Sequence, residues 1–171
     1  MKTTHIIYVK LLCWLNKAVD ISSNRKFPAG ALSNFMPYEF TFRGFKCASM
    51  EGLLQGLKFE NAEKQAKVFQ MVGKNAKLIG KRRKWWLDQK LYWQGKPIDG
   101  ESEEYLTLVK EAFHALATNP DFRLALLATG NKRLFHTIGK QIQQETILTE
   151  KEFCMILTEI RAELQMLMND F

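Results

Sequence analysis

The spacing of apolar and polar side chains changes near residue 49, and this change separates two kinds of predicted element. Residues 38–47 alternate aromatic with polar side chains, which is the period of a strand that buries one face. Gly44 predicts a turn or bulge within this stretch. The β-branched side chains at residues 4–12 favour a further strand.

After residue 49, apolar side chains recur every three to four positions, as they do on the buried face of a helix. Gly73 is expected to follow one helix as its C′ residue, and Gly80 is expected to stop the next. Thr149 and Glu152 form a capping box at the start of the last helix. The pattern predicts helices over residues 49–60, 62–72, 75–79 and 102–118, from Pro120 (after Asn119 as N-cap) to Gly130, and from Thr149 to about residue 167.

The segments between these helices are rich in turn-forming residues. Residues 22–34 predict a series of turns, residues 85–100 an irregular or partly extended stretch, and residues 131–148 a loop with room for one strand. No repeat and no Pro/Gly/Ser-rich linker divides the chain. The sequence therefore predicts one α+β domain over residues 1–171, dominated by helices, with a small antiparallel β portion near the N-terminus.

The composition is that of a chain with a substantial core. Of 171 residues, 46% are hydrophobic and 25% are charged, and there are 12 Phe, 4 Trp and 4 Tyr. A chain with so many aromatic side chains buries enough apolar area to offset the entropy lost on ordering, which excludes a disordered protein. Its 10 Gly and 4 Pro exclude collagen-like and low-complexity classes.

The cysteines and the first apolar stretch bear on compartment and cofactors. Cys13, Cys47 and Cys154 are odd in number and far apart, and no Cys/His cluster has the spacing of metal ligands. We therefore expect reduced, mostly buried thiols, no metal and no cofactor. The apolar stretch from His5 to Leu15 is too short to span a bilayer, and no small-residue cleavage site follows it. These features favour a cytoplasmic protein without a membrane partner.

The charge balance points to an anionic partner. With 25 Lys+Arg and 18 Asp+Glu, the formal net charge is +7, which favours nucleic acid, nucleotides or phosphate, although a solvated basic surface fits equally well. The densest cationic cluster is Lys81, Arg82, Arg83 and Lys84. It is a candidate contact for a nucleic-acid backbone, or a solvated face at a helix end, where cations are favoured.

One predicted helix carries the most informative polar residues. At about 100° per residue, Glu51, Gln55 and Lys58 fall within about 60° of one another. Such a stripe can point into a cleft, where the carboxylate acts as a base or stabilises a cationic transition state and Lys58 holds a phosphate. The spacing also fits a Glu51 that complements the helix N-terminus and a solvated Lys58. Gly52 and Gly56 predict close packing of backbone or ligand against this helix.

The order of motifs around this helix resembles the NADAR family, whose fold is YbiA-like. That family has a Ser-Asn-Phe loop followed by a helix with Glu, Gln and Lys. The remaining matches are the stretch from Gly80 to Trp86, helix 102–118, the segment 126–130 and the stretch from Leu157 to Arg161, so the resemblance spans residues 20–165. The matching positions of the motif are Ser33, Asn34, Phe35, Glu51, Gln55 and Lys58.

The resemblance implies hydrolysis of an N-glycosidic bond. The implied substrate is a ribosylated or ADP-ribosylated nucleobase, for example ADP-ribosylated guanine in DNA or in nucleotides. Two alternatives remain open: a glycosidase for ribosylamino-pyrimidine phosphates linked to riboflavin intermediates, and a module that binds ADP-ribose or a nucleotide without hydrolysis. DNA or RNA is a possible partner in each case.

Residues 134–153 depart from the common family pattern. They lack the Gly-Asp-Gly segment and the Gly-x-Asn-x-Leu-Gly turn that many members carry before the last helix, and they resemble a phage and bacterial branch. This departure leaves the second acidic residue open. Glu145 is the candidate, with Thr146 beside it. His136 stands where other members often have Glu, and it is either a binding residue or an ordinary loop histidine.

The implied chemistry assigns expected roles to these residues. Cleavage of an N-glycosidic bond develops oxocarbenium charge on the ribose, which a carboxylate stabilises while the same or a second carboxylate activates water. By analogy with O-glycosides, we expect Glu51 as the principal catalytic residue and Glu145 as the second. Aromatic rings would stack on the base, although core packing is the alternative for each. The expected substrate-binding residues are Arg25, Ser33, Asn34, Phe35, Gln55, Lys58, Trp86, Trp93, His136 and Thr146.

Overall fold

The computed structural model describes residues 2–169, which form seven helices and three two-stranded sheets. The helices are α1 (Lys2–Trp14), α2 (Met50–Gly56), α3 (Ala62–Phe69), α4 (Gly73–Lys81), α5 (Glu103–Leu116), α6 (Pro120–Leu127) and α7 (Glu150–Asn169). The strands are β1 (Ala18–Asp20), β2 (Phe40–Phe42), β3 (Phe45–Cys47), β4 (Lys90–Trp93), β5 (Lys96–Asp99) and β6 (Arg133–Phe135). The predicted helix-rich α+β class is confirmed.

The strands reach further along the chain than the sequence predicts. The expected hairpin is present as β2 and β3, with Phe40 opposite Cys47 and with Gly44 at φ +85° in the turn. A second antiparallel hairpin, β4 and β5, forms where an irregular or partly extended stretch is predicted. Gln94 and Gly95 both have positive φ at its turn, as tight hairpins require. β1 and β6 pair in parallel from distant parts of the chain.

The predicted strand at residues 4–12 is wrong, because this segment lies within α1. Val9, Leu12 and Cys13 lie on one helical face and pack against Ala18 and Phe135. This packing outweighs the local strand preference of the β-branched residues, a preference that depends strongly on context.

The ends of the helices follow capping signals more closely than glycine positions. Asn119 caps α6, and Thr149 and Glu152 exchange the hydrogen bonds of the predicted capping box. Gly73 does not end a helix as C′ residue, since it begins α4 with φ +51°. Gly80 does not stop α4 either, because it lies inside that helix.

Close packing explains the two glycines of α2. A Cβ on Gly52 would lie 2.4 Å from the carbonyl oxygen of Met71, and one on Gly56 would lie 2.4 Å from the ring of Phe69. The C-terminal end of α3 and the residues just after it therefore pack on this face of α2, for which the sequence predicted close packing of either backbone or ligand. Leu53 is fully buried on α2 within a core that extends from β1 to α7.

The cysteines are free thiols. Burial raises the pKa of Cys47 to about 12, and burial with the nearby charges of Glu150 and Asp20 raises the pKa of Cys154 to about 12. Within residues 2–169, no helix is both long enough and apolar enough to cross a membrane.

Candidate active site

The N-terminal turn of α2 places a carboxylate in the interior of the protein. Ser49 is the N-cap, and its Oγ accepts a hydrogen bond from the Gly52 amide at 3.0 Å and donates one to the Met71 carbonyl at 2.9 Å. Glu51 follows in the first turn, where the helix dipole favours a negative charge. Its side chain is only 5% exposed, so the chemical behaviour of the carboxylate depends on the groups that contact it.

The Ser-Asn-Phe loop lies directly on this turn. The Glu51 amide donates to the Asn34 carbonyl at 2.9 Å, and the Phe35 amide donates to Ser33 Oγ at 3.3 Å. Gly73, at the start of α4, approaches the Phe35 carbonyl so closely that a Cβ would lie 3.2 Å from it. The loop is thereby fixed to α2 on one side and to α4 on the other.

Two donors hold one oxygen of the Glu51 carboxylate. Gln55 Nε2 donates to Oε1 at 2.8 Å, and Lys77 Nζ lies 3.2 Å from the same oxygen. The other oxygen, Oε2, accepts no hydrogen bond from any residue that the structure describes. Gln55 is itself fully buried and packs over Gly80, where a Cβ would collide with its amide. The carboxylate is therefore fixed in direction with one oxygen free.

A pocket of about 290 Å³ lies over Glu51. A wider and more open depression of about 800 Å³ lies between β6 and α7, but the buried acid there, Glu150, already accepts the backbone amide of His136. We therefore place the candidate site at Glu51. Its pocket is lined by Ser23, Ser33, Asn34, Phe35, Glu51, Leu54, Gln55, Lys77, His136, Ile138, Gly139, Lys140, Thr146, Ile147, Leu148 and Phe153.

Seven of the residues proposed from the sequence line this one pocket, although they come from three separate parts of the chain. Three belong to the Ser-Asn-Phe loop, two to α2, and two to the segment between β6 and α7. They are Ser33, Asn34, Phe35, Glu51, Gln55, His136 and Thr146.

Glu145 does not line the pocket. It is exposed, and its carboxylate lies 3.1 Å from Lys140 Nζ at the surface. Its neighbour Thr146 does line the pocket. Among the described residues, the pocket wall thus contains one acid, Glu51.

Lys58 and Arg25 do not line this pocket. Lys58 is buried, with Nζ 5.7 Å from the centre of the Trp85 ring. Burial and the charge of Lys77 lower the pKa of Lys58 to about 8, while the charge of Glu51 opposes that shift. Arg25 donates to the Asp20 carboxylate at 3.1 Å rather than reaching the pocket.

The two expected tryptophans do not reach the pocket either. Trp85 and Trp86 lie in a short 3-10 turn instead of an extended segment, which leaves Trp85 buried and Trp86 48% exposed. Trp93 stacks on Phe69, with ring centres 5.8 Å apart, and packs edge-on against Phe42. These contacts correspond to the core-packing alternative for Trp93.

The basic cluster lies at the end of α4. Lys81, Arg82 and Lys84 are exposed, whereas Arg83 is half-buried and forms an ion pair with Asp88. That pair raises the pKa of Arg83 and lowers that of Asp88. The position of the cluster suits either a nucleic-acid contact or a solvated helix end.

Sequence reasoning missed Lys77. On an amphipathic helix an exposed lysine usually lies on the solvated face, and its partner Glu51 is on another helix. The stretch from residue 138 to Lys140 also lines the pocket. The sequence did not predict this, because apolar and polar side chains follow no regular period there. Within residues 2–169, no group of three or more His, Cys, Asp or Glu side chains is arranged to hold a metal ion.

Comparisons with known proteins bear on the fold and on the relatives of this chain. The family model described as "Bacteriophage protein GP30.3" matches residues 26–162. A 17.1 kDa protein from the Gp30-rIII intergenic region of Enterobacteria phage T4, described as uncharacterized, is 36% identical over 149 residues, which cover 85% of this chain and 98% of that protein. The NMR structure of the E. coli protein YbiA matches with a TM-score of 0.60 and 16% identity, covering 91% of this chain and 89% of that one. At that identity the likeness shows the fold alone: the predicted YbiA-like fold is confirmed, and membership of the NADAR family stays a prediction.

Proposed function

Because the chain belongs to the bacteriophage protein GP30.3 family and shares the fold of YbiA, we propose that it is a hydrolase that cleaves the N-glycosidic bond of a ribosylated or ADP-ribosylated nucleobase. One observation carries this proposal. Glu51 is a buried carboxylate with one oxygen fixed by Gln55 and Lys77 and the other free, and it faces a pocket of about 290 Å³.

The free oxygen of Glu51 suits the charge that this reaction develops. As the bond between C1′ and the base nitrogen lengthens, positive charge builds on the ribose ring, and a fixed carboxylate in a poorly solvated pocket stabilises it. Gln55 and Lys77 hold the carboxylate in one orientation, so little reorganisation is needed in the transition state. Lys77 also keeps Glu51 paired when the pocket is empty.

The dimensions of the pocket limit how much of the substrate it encloses. A volume near 290 Å³ is at the small end of ligand pockets, which hold roughly 300–1,000 Å³. It accommodates a nucleoside-sized group, so the phosphates would lie outside, near the exposed Lys77 and Lys140 at the rim. Phe35, from the Ser-Asn-Phe loop, places an aromatic ring in the pocket wall. It is the proposed stacking partner for the base.

A binding module that does not hydrolyse its ligand is the second candidate. Glu145, the expected second carboxylate, is exposed and paired with Lys140, which leaves one acid among the described residues of the pocket wall. ADP-ribose or a nucleotide would then be held by the same wall without being cleaved. Tight binding without product at high protein concentration would favour this candidate.

The test is a mass-spectrometric assay for released base. Native protein and Glu51→Gln are incubated with ADP-ribosylated guanine in DNA and, separately, with a ribosylamino-pyrimidine phosphate. Glutamine preserves the volume but removes the charge, so we expect turnover to fall at least about 100-fold. Glu145→Gln is the matched control and should retain turnover, because that side chain is at the surface.

The two substrates also distinguish the glycosidase alternatives. Release of guanine or of pyrimidine identifies the substrate class, provided that release depends on Glu51. Full turnover by Glu51→Gln on every substrate that the native protein cleaves would contradict the proposed mechanism. Circular dichroism of each variant would show that the fold is retained.

A further inference from the structure

The end of the parallel β1–β6 pair orients a histidine into the candidate site. The Ile21 amide donates to the Phe135 carbonyl at 2.7 Å, which continues the ladder one step beyond β1. The next backbone acceptor, the Ile21 carbonyl, is bound by the side chain of His136, whose Nδ1 lies 2.8 Å away. The imidazole thus replaces the next rung of the ladder.

This contact fixes the tautomer of His136. A carbonyl oxygen only accepts hydrogen bonds, so Nδ1 must carry the proton. In the neutral ring, Nε2 then has a free lone pair. Within the described residues Nε2 has no hydrogen-bond partner, and His136 forms part of the pocket wall with Glu51.

The ring is held firmly in this orientation. Its own backbone amide donates to Glu150 Oε1 at 3.2 Å, and its ring packs edge-on against Phe153 with centres 5.2 Å apart. Gly139 lies so close that a Cβ there would be 2.7 Å from Cδ2 of the imidazole. The next residue, Thr137, donates through both its amide and its hydroxyl to Asp20. A side chain confined by so many contacts is preorganised, as a catalytic group must be.

We propose that His136 is the general base that activates the attacking water, an inference that rests on the proposed N-glycosidase function. Water bonds through its oxygen to C1′ of the ribose and gives a proton to Nε2. The bond between C1′ and the base nitrogen breaks, and its electron pair leaves with the base, which takes a proton from solvent. The imidazolium then returns its proton to solvent, so the net reaction consumes one water and yields a free base and a free sugar hydroxyl.

The division of roles follows from the contacts of the two groups. Glu51 must stay ionised to stabilise the ribose cation, and its Oε1 is already bound by Gln55 and Lys77. His136 has a basic nitrogen, Nε2, that no described residue binds, and it does not need to carry a charge to stabilise the ribose cation. Glu145, which the sequence suggested as the second group, is directed to the surface.

Two substitutions test the base, and one of them, His136→Asn, also keeps the hydrogen bond to the Ile21 carbonyl. In His136→Asn, the side-chain amide nitrogen takes the place of Nδ1 and can still donate to Ile21, while Nε2 is lost. In His136→Gln, the amide takes the place of Nε2 but is not basic. We expect both variants to fold and to lose kcat by about 100-fold or more, with KM little changed. Added imidazole should restore part of the turnover in His136→Ala.

The pH profile of kcat/KM is the second readout. The acid limb of the native profile should be altered in both variants, because each lacks the proposed base. The charged or titratable groups that face this histidine are Glu150, with His5 paired to it at 3.7 Å, and Glu51, Lys77 and Lys140 across the pocket, and these stay in place in each variant.

The outcomes separate this inference from the proposed function. If Glu51→Gln is inactive while His136→Asn keeps full kcat, the role of His136 is overturned and the glycosidase function stands. If the native protein cleaves neither substrate, both are overturned. Nitrogen-15 NMR of the native protein decides the tautomer independently of activity: an unprotonated Nε2 in the neutral ring is expected, and a protonated Nε2 with a bare Nδ1 would overturn the inference.

Discussion

Lys77 on α4 forms an ion pair with Glu51 on α2, with Nζ 3.2 Å from Oε1. The two helices pack tightly because Gly80 leaves room for the side chain of Gln55 between them. Gln55 in turn donates to the same carboxylate oxygen at 2.8 Å. The charge of the candidate site is thus set by the docking of one helix on another, and several consequences can be measured.

Removal of the Lys77 charge should destabilise the fold, because the buried Glu51 carboxylate loses its ion-pair partner. We expect Lys77→Met to lower the free energy of unfolding by about 1–2 kcal/mol, since a buried charge loses its partner but the half-exposed lysine is partly screened by solvent. Urea unfolding of Lys77→Met, Glu51→Gln and the double variant measures the coupling free energy between the two side chains. The double variant should cost less than the two single ones together, and strict additivity would contradict the pairing. Lys74→Met, an exposed lysine on the same helix, is the matched control.

Gly80→Ala should break the contact between Gln55 and Glu51. A Cβ at this position would lie 1.8 Å from Gln55 Oε1 and 2.9 Å from its Cβ. The Gln55 side chain must therefore turn away and release Glu51, and α2 and α4 must also separate slightly, because no side-chain rotation moves the Gln55 Cβ. Alanine gains about 1 kcal/mol of helix propensity, which offsets part of the overpacking. We therefore expect the free energy of unfolding to fall by about 1–2 kcal/mol and turnover to fall by up to about 100-fold. Asn75→Ala, on the exposed face of α4, should leave turnover unchanged.

The sequence predicts the parts of the site that one element determines. Glu51 and Gln55 are four residues apart on one helix, so the helical period alone places them together. The caps at Asn119 and Thr149 follow from local hydrogen bonding, which needs no tertiary contact.

Contacts between distant segments could not be predicted in this way. Lys77 has no local feature that distinguishes it from a solvated lysine, and the pairing of β1 with β6 joins residues far apart in the chain. In the irregular segment 138–148, Thr146 lines the pocket and Glu145 is at the surface. Without a regular period, the sequence has no means of distinguishing the two.

Lys58 should make stability depend on pH in a specific window. Burial first, and Lys77 second, lower the pKa of Lys58 from 10.5 to about 8. Between these values the unfolded chain binds the proton and the folded protein releases it, so stability rises with pH. Below about pH 8 Lys58 is protonated in both the folded and the unfolded state. The folded protein then carries the full free-energy cost of burying this charge. Relative to Lys58→Met, native protein should gain about 2 kcal/mol between about pH 7.5 and about pH 9.5 in urea unfolding.

The comparison with Lys58→Met also cancels the contribution of the thiols to the pH dependence of stability. The raised pKa values of Cys47 and Cys154 act in the opposite direction at high pH, but both proteins share them. A flat difference across the window would show that Lys58 is hydrated in the folded protein.

The basic cluster predicts salt-dependent binding if nucleic acid is a partner. Lys81, Arg82 and Lys84 are exposed, so replacing the three with Gln should reduce the slope of log K against log salt by about 2–3 for a labelled single-stranded oligonucleotide. Arg83→Gln should change the slope less, because Arg83 is paired with Asp88. Fluorescence anisotropy at several salt concentrations measures both. An unchanged slope in the triple variant would assign the cluster to a solvated helix end.

Asp20 and Arg25 together test what holds the His136 segment. Asp20 Oδ1 accepts the Thr137 amide at 2.9 Å, and Oδ2 accepts the Thr137 hydroxyl at 2.9 Å and Arg25 at 3.1 Å. We expect Asp20→Ala to lower the free energy of unfolding by about 1–2 kcal/mol, since the half-buried Thr137 donors lose their acceptor, and to speed hydrogen exchange at the Thr137 amide.

Arg25→Gln leaves both Thr137 bonds in place and removes only the half-exposed cation. It should therefore cost less than about 1 kcal/mol and leave the exchange rate at Thr137 unchanged. Its effect on KM decides the sequence-based expectation that Arg25 binds a substrate phosphate. An unchanged KM would mean that the guanidinium stays on Asp20 during turnover. A raised KM with normal stability would mean that it leaves Asp20 for the substrate, so that Thr137 alone keeps the His136 segment in place when the pocket is filled.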